Sequence, residues 1–400
     1  MFAGGTIWFV ARILILSFTA APYDALINLD GVRALRDGHP LYAYASGGSV
    51  PLFNSFISTP FVAVLLYPLS GDNLLESVLI FRGISVFAYV LAVFILSKAA
   101  HLTPDDGTLA YGLFWLLAFG WEPMFDSIGL GQLNEWLLLC LAVAYGAQQR
   151  RYDGLQGASI GIAMAMKLIP GLVLAYWVLR GRRRPAIIAL MTAGLILIVT
   201  GLVVPLNDCV AFVRDILPAI SRGSSYHYNQ TLNGVGMRLA SDYAVWGETD
   251  IEPNRPLIRS AATIGTLGLL AVTAWTLRLW TTRQQRSRAA HGLEFGLVVV
   301  LMLLASPITW WHYYVWMIVA LAAVCQPEVW RELRSRHLIW LAVALLLINV
   351  PPAILYKLTA PLAARWRLGA NIVNSAGLVG TLLFWAFLLV IYRGAGVQRR

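Results

Sequence analysis

An all-α polytopic membrane protein is the fold class this sequence predicts, and three observations predict it. Hydrophobic residues make up 58% of the chain and charged ones only 12%, about half the charge of an average soluble domain. Long apolar runs recur through the 400 residues, so residues 1–400 read as a single membrane domain with no soluble appendage. Arginines gather between those runs, at Arg150-Arg151, Arg180 to Arg184, Arg283 to Arg288, Arg331 to Arg336 and Arg393 to Arg400, as cytoplasmic loops do. The net charge of +10 is explained by these clusters and does not point to a nucleic-acid partner. Cys140, Cys209 and Cys325 form no spaced cluster, so neither a disulfide framework nor a metal site is expected.

The elements follow in order. The first apolar segment, 4–20, lacks a basic start and a simple cleavage site, and reads as a retained helix. Residues 21–73 then form a long outer loop interrupted by Pro51, Pro60 and Pro68. Within it, Asp30, Arg33 and Asp37 share one helix face with Leu29, Val32 and Leu35 opposite, the pattern of a helix lying on the membrane surface. Phe61–Leu69 is too short to span and reads as interfacial or half-inserted. Helices are expected over 74–99, 107–120 and 132–148.

The stretch 154–180 is bounded by Arg151 and Arg180, both of cytoplasmic type, yet two crossings need about twenty residues each. Lys167 and Pro170 stand at its middle. Two short helices meeting at a break inside the bilayer reconcile these facts, and such a break is tolerated where it lines a cavity. One long helix carrying a buried lysine is the costlier alternative. Further helices are expected over 184–205, 257–281, 292–305, 309–325, 337–355 and 371–392. That makes about twelve crossings, with 206–256 as a second outer loop holding an amphipathic helix at 208–220.

Candidate chemistry concentrates on the outer side. Asp24 lies at the end of the first helix, before the surface helix, where a carboxylate is placed to face a wet cavity at lipid depth. Gln132 and Asn134 open a helix, where carboxamides receive sugar hydroxyls or an anion. Asn229 and Gln230 lie in the second outer loop, with Arg238 beyond them. His312 follows Trp310-Trp311 and is a candidate phosphate ligand. Arg82 either snorkels to the surface or meets a lipid phosphate. Plainer readings stay open for each: solvated loop charges, a helix cap, a surface turn, an interfacial aromatic belt. An acid, a lysine, a histidine and a carboxamide-rich helix start on one face suit glycosyl transfer from a lipid phosphate. The acid would take the attacking hydroxyl's proton, cations would stabilise the departing phosphate, and carboxamides and tyrosines would position the sugar. A transporter or flippase of a lipid-linked saccharide, or a glycan ligase, is the alternative. A transporter should show polar paths from both faces, whereas the polar loops here lie on one.

Several motifs carry a family resemblance. They are Asp24 with ALRDGHPLY (34–42), GLGQLNEWLLL (129–139), Lys167-Leu168-Ile169-Pro170 followed by GRRRP (181–185), NQTLNGVGMRL (229–239) and SPITWWHYYVWM (306–317). In this order they resemble glycosyltransferase family 87, the polyprenol-phosphate-dependent mannosyltransferases. Phe56-Ile57-Ser58-Thr59-Pro60 stands where the family has a Tyr-x-Pro element, Thr231 and Thr309 replace serines, and Tyr313 replaces a second histidine. The resemblance implies the GT-C glycosyltransferase fold and an inverting transfer from a polyprenyl-phosphate sugar, most often mannose, to a lipid or glycan acceptor. It implies Asp24 as the base; the candidates beside it are Lys167, His312 and Arg82 for the donor phosphate, and Tyr42, Gln132, Asn134, Asn229 and Gln230 for sugar or acceptor. No cofactor and no metal are implied. The setting it implies is a bacterial plasma membrane, among membrane lipids, with the site on the periplasmic or extracellular side.

Overall fold

The computed structural model describes residues 2–43, 52–103, 108–248, 255–278 and 287–395. Parts of both expected outer loops, 44–51 and 249–254, lie outside the described residues, as do Arg283 and the last C-terminal arginines. Among the described residues the regular structure is helical, and the only bridge of β type joins Asn229 to Trp310.

The first helix, α1 (Phe2–Thr19), is followed after a short link by α2 (Tyr23–Arg36), whose N-cap is Pro22. The two-faced helix expected of this segment is present: Leu29 and Val32 are fully buried while Asp30 is exposed. The helix starts earlier than the pattern suggested, so Asp24 lies in its first turn rather than before it. Arg36 donates to Ser70 O (2.8 Å) and pairs with Asp72 (2.9 Å), strapping α2 to the loop beyond α3 (Pro60–Leu66). Next come α4 (Leu74–Ala99), α5 (Thr108–Phe119) and α6 (Glu122–Leu130). The short α6 was not foreseen. Its signals are Pro123 in the first turn, where a missing N–H costs nothing, and Gly131 as a left-handed stop.

The broken hairpin is present. After α7 (Asn134–Gln149), α8 (Asp153–Met166) stops at Lys167, and α9 (Gly171–Leu179) begins after Pro170. Two glycines one turn apart hold α8 against α10 (Arg183–Val203). A Cβ at Gly157 would sit 2.6 Å from Pro185 O, and one at Gly161 2.6 Å from Ala189 O. Only small residues permit backbones to approach this closely in a membrane. The loop helices α11 (Leu206–Ala211) and α12 (Leu217–Ile220) are joined by a π-helical turn, and α13 (Leu232–Ala240) follows.

Of the last third, α14 (Pro256–Leu277) buries only Thr273, Thr276 and Leu277, whereas α15 (Arg288–Ala305) is almost wholly buried. A 3₁₀ segment, Trp311–Met317, leads into α16 (Ile318–Val324), also enclosed, and then α17 (Pro327–Trp330). The helix expected over 337–355 is in fact two, α18 (Ser335–Asn349) and α19 (Pro352–Ala363), bent by 82°. Pro351 and Pro352 cause the break, since neither supplies an N–H and the first pushes Val350 out of helical geometry. The segment over 371–392 likewise divides into α20 (Arg367–Asn374) and α21 (Ala376–Ala395). Among the described residues, 5 helices are long and apolar enough to cross a membrane, or 6 with the bent pair, beside shorter apolar helices. The protein is an all-α integral membrane protein.

Candidate active site

The two long loops and the hairpin break enclose a cavity of about 740 Å³. Its lining includes polar residues, Asp24, Asn28, Ser58, Gln132, Lys167 and His312. It also includes many apolar ones, among them Met166, Leu168, Ile169, Leu172, Phe212 and Met302. Phe53, Tyr226, Tyr228 and Trp310 line it as well. Phe53 and Tyr226 each meet the Trp310 ring edge-on, at 5.3 and 5.8 Å.

Asp24 owes its place to Pro22 and Gly131. Pro22 caps α2 and puts Asp24 in the first turn, where the helix dipole favours an anion. Gly131, at φ +75°, turns the chain from α6 into α7 so tightly that a Cβ there would collide with Ala25. Both Gly131 N and Gln132 N donate to Ser127 O at 3.0 Å. This turn carries Gln132 to Asp24, and its Nε2 donates to Asp24 Oδ2 at 2.7 Å. Burial pushes the Asp24 carboxyl above its ordinary value, more than His312, the Gln132 hydrogen bond and Lys167 pull it down, and Asp126 adds to the rise. A carboxyl raised in this way is a better match for a general base near neutral pH.

Lys167 stands at the end of α8 in extended conformation (φ −146°, ψ 138°). Its ammonium donates to Asn134 Oδ1 at 2.9 Å and lies 3.6 Å from the centre of the Tyr313 ring. Thr59, in the first loop, donates its hydroxyl to Ala165 O (2.5 Å) and Met166 O (3.3 Å), carbonyls the broken helix leaves free. Across the cavity, two antiparallel backbone bonds pin the second loop to the segment before α16: Gln230 N to Thr309 O (2.9 Å) and Trp311 N to Tyr228 O (3.0 Å). The His312 ring is 4% exposed, and its Nδ1 lies 3.3 Å from Asp126 Oδ2. Tyr228 faces the same carboxylate, and burial followed by that charge raises its phenol well above the ordinary value. Burial, with Asp126 and Asp24 behind it, lifts Tyr226 to about 12.

The expected site residues therefore divide. Asp24, Gln132, Lys167 and His312 share the cavity; Tyr42, Arg82, Asn134, Asn229 and Gln230 do not line it. Arg82 is corrected to a brace for helix ends: its guanidinium donates to Leu16 O (3.3 Å), Ala20 O (2.7 Å) and Gly129 O (2.7 Å). Leu16 O already accepts from Ala20 N (3.1 Å), and the carbonyls of Ala20 and Gly129, at the ends of α1 and α6, are where helix termini leave acceptors for a cation. Tyr42 is 1% exposed and donates to Ser58 O at 2.7 Å, so its phenol closes the loop instead of meeting a sugar. Asn134 is buried behind Lys167 and positions it.

Asn229 shapes its own turn, donating to Ser224 O and accepting from Thr231 and Thr309 N. Gln230 donates to His227 O and Asn374 O and accepts from Leu378 N, which ties the loop to α21. The sequence reading missed Asn28, Tyr226 and Asp126. Asn28 is one helical turn after Asp24 and donates to its carbonyl at 2.8 Å, a spacing that was available in the sequence. Among the described residues no three of His, Cys, Asp and Glu converge as metal ligands would.

The profile of glycosyltransferase family 87 matches residues 56–307. The chain is 26% identical over 355 residues to the polyprenol-phosphate-mannose-dependent alpha-(1-2)-phosphatidylinositol pentamannoside mannosyltransferase of Mycobacterium tuberculosis, covering 86% of this chain and 75% of that one. It is 24% identical over 417 residues to the polyprenol-phosphate-mannose-dependent alpha-(1-2)-phosphatidylinositol mannoside mannosyltransferase of Mycolicibacterium smegmatis, covering 98% and 87%. Among solved structures, apo ArnT from Cupriavidus metallidurans is similar at 15% identity and a TM-score of 0.40, covering 98% of this chain and 78% of that one. With more than half its length matched by the family profile, the chain belongs to glycosyltransferase family 87 and is an integral-membrane glycosyltransferase.

Proposed function

We propose that the protein transfers mannose, with inversion, from a polyprenyl-phosphate donor to a lipid or glycan acceptor, using Asp24 as the general base. The carrying observation is that Asp24, Lys167 and His312 line one cavity together with many apolar side chains. A donor of this class has a charged, sugar-bearing head and a hydrocarbon tail, and a lining of both kinds suits both parts. The relatives' dependence on polyprenol-phosphate-mannose, given in their names, favours that donor. Their phosphatidylinositol mannoside acceptors make a mannosylated glycolipid the acceptor of first choice.

In this reading the acceptor hydroxyl attacks the anomeric carbon from the face opposite the phosphate. The bond from that carbon to the phosphate oxygen breaks, and polyprenyl phosphate leaves with the electron pair. Asp24 takes the hydroxyl proton, and Gln132, on its Oδ2, keeps the carboxylate aimed. Lys167 and His312 stabilise charge on the departing phosphate. A single carboxylate suffices because phosphate needs no acid to leave, unlike the leaving group in glycoside hydrolysis. In this reading the cavity faces the periplasmic or extracellular side of a bacterial plasma membrane, a side favoured by the arginine clusters between the apolar runs, which are of cytoplasmic type.

The test is transfer itself. Purified protein in nanodiscs, given radiolabelled polyprenyl-phosphate mannose and a lipid extract, should form a new labelled glycolipid. Asp24→Asn should bind the donor without forming it. Product formation at the wild-type rate by Asp24→Asn would remove Asp24 from the role of base.

A further inference from the structure

A second cavity, of about 590 Å³, lies at the far end of two helices that also reach the first. α8 runs from Asp153 in the second cavity to Met166 in the first, and α15 from Arg288 to Ala305. At 1.5 Å per residue the two cavities are on the order of 20 Å apart. The volume is typical of a small-ligand site.

Arg151, Arg182, Arg183, Arg184 and Arg288 line this second cavity, and Asp153 is the one carboxylate in its lining among the described residues. That carboxylate is already taken. Arg182 donates to Asp153 Oδ1 (2.9 Å), and to the buried carboxamides Gln148 Oε1 (3.1 Å) and Gln156 Oε1 (2.8 Å). Gln156 donates in turn to Gln148 Oε1 (2.9 Å), and Gln148 to His291 O (3.0 Å), so these groups form one network. The guanidinium groups of Arg151, Arg183 and Arg184 are exposed and have no hydrogen-bond or ion-pair partner among the described residues. The positive-inside pattern accounts for arginines near a membrane end, but not for their convergence on one recess.

The backbone adds to the positive potential. Asp153 opens α8, Arg183 opens α10 and Arg288 opens α15, and neither α8 nor α10 has a side-chain cap. The close approach of Gly157 to Pro185 O sets the start of α8 against the start of α10. Free first-turn N–H groups and helix dipoles favour an anion there.

The outer face of α10 indicates which anion. Arg183, Ile187 and Leu190 recur at helical spacing, as do Arg184, Ile187 and Met191, so basic and apolar side chains share one side of the helix. Ile187, Leu190 and Met191 are exposed, on a helix long and apolar enough to cross a membrane. A basic recess that continues into an exposed apolar stripe fits a phosphate joined to hydrocarbon.

We propose that the second cavity binds the phosphate headgroup of an anionic phospholipid, with Arg151, Arg183 and Arg184 on the phosphate and the acyl chains along Ile187, Leu190 and Met191. The site is separate from the transfer reaction, since none of its lining residues lines the first cavity.

Native mass spectrometry of the delipidated full chain in neutral detergent tests this. Phosphatidylglycerol should be retained in preference to phosphatidylcholine, with the preference shrinking as salt is raised. Arg183→Gln/Arg184→Gln should weaken phosphatidylglycerol binding by about tenfold or more and leave phosphatidylcholine unchanged. Arg183→Lys/Arg184→Lys should keep most of the preference. Arg331→Gln/Arg336→Gln, which removes the same charge outside the cavity, should keep all of it. Should the Arg183→Gln/Arg184→Gln variant fail to fold, Arg151→Gln carries the same test. Thermal unfolding separates the two sources of phosphate: phosphatidylglycerol should raise the melting temperature, and millimolar inorganic phosphate should not. Equal retention of both lipids, an equal loss in Arg331→Gln/Arg336→Gln, or stabilisation by inorganic phosphate alone would overturn the proposal.

Discussion

Two of the clusters of buried charge among the described residues differ in how their groups are satisfied. In one, Glu294 of α15 accepts from Arg180 (2.8 and 3.2 Å), Tyr176 (2.6 Å) and Tyr392 (2.6 Å), while Arg180 also donates to the last carbonyls of α14. Both carboxylate oxygens and the guanidinium are engaged, and four helices are joined. In the other, Asp24, Lys167 and His312 surround a cavity; Lys167 has one carboxamide oxygen and an aromatic face, and His312 Nε2 has no partner among the described residues. Burial of charge in a membrane is costly in both places. What separates a structural cluster from a reactive one is the hydrogen-bonding capacity left over.

That contrast is open to attack from its strongest point downward. Asp24→Asn keeps the shape of the site and removes the base, so transfer should fall by about 10²–10⁴-fold with donor binding retained, read by single-turnover assay beside a donor-binding measurement. At the other cluster, Glu294→Leu should lower stability by about 3 kcal/mol, seen in thermal unfolding, while donor KM for the folded fraction stays the same. A donor KM that moves with Glu294 would erase the division between the two regions.

Lys167→Met should weaken donor use by about 1.5–3 kcal/mol, measured as kcat/KM at low donor concentration. An unchanged value would leave the hairpin break with a structural role only. The pH profile refines the point. Asp24 must be ionised to accept a proton, and burial raises its carboxyl above the ordinary value. The rate should therefore fall as pH drops through that raised value, at higher pH than a solvated aspartate would give, and the acid limb should vanish from the residual activity of Asp24→Asn. The smallest expected effect is Tyr42→Phe, which loses one bond to Ser58 O and should cost about 1 kcal/mol of stability without altering KM for donor or acceptor.

What the sequence disclosed follows from the same accounting. Asp24, Gln132 and Lys167 were legible because each interrupts an apolar pattern at a helix end, where a polar group must face water, a ligand or another terminus. Tyr42, Asn229 and Gln230 sit in equally suggestive motifs, but their donors and acceptors close turns and join loops. Sequence names the residue and not the direction of its side chain, so motif members that build the frame look the same as those that touch substrate. Arg82 misled for a related reason: the carbonyls it satisfies come from Leu16, Ala20 and Gly129, far from it in sequence. Asp126 was hidden by the shortness of α6, which offers too few turns for an apolar periodicity to register. The twelve-crossing estimate rested on apolar length and arginine placement; the Pro351-Pro352 bend shows how one apolar run divides.

The hydroxyl of Thr59 on the carbonyls of Ala165 and Met166 has a consequence for how the chain is made. The donor precedes its acceptors by 106 and 107 residues, so it leaves the ribosome well before the helix it will terminate. Until α8 arrives the first loop has nothing at that point to close upon, and until the loop docks the broken helix ends in bare carbonyls. The cavity is thus completed late in biogenesis, by two segments inserted at different times. A defect at Thr59 should show first as a longer-lived assembly intermediate, before any deficit in the finished enzyme.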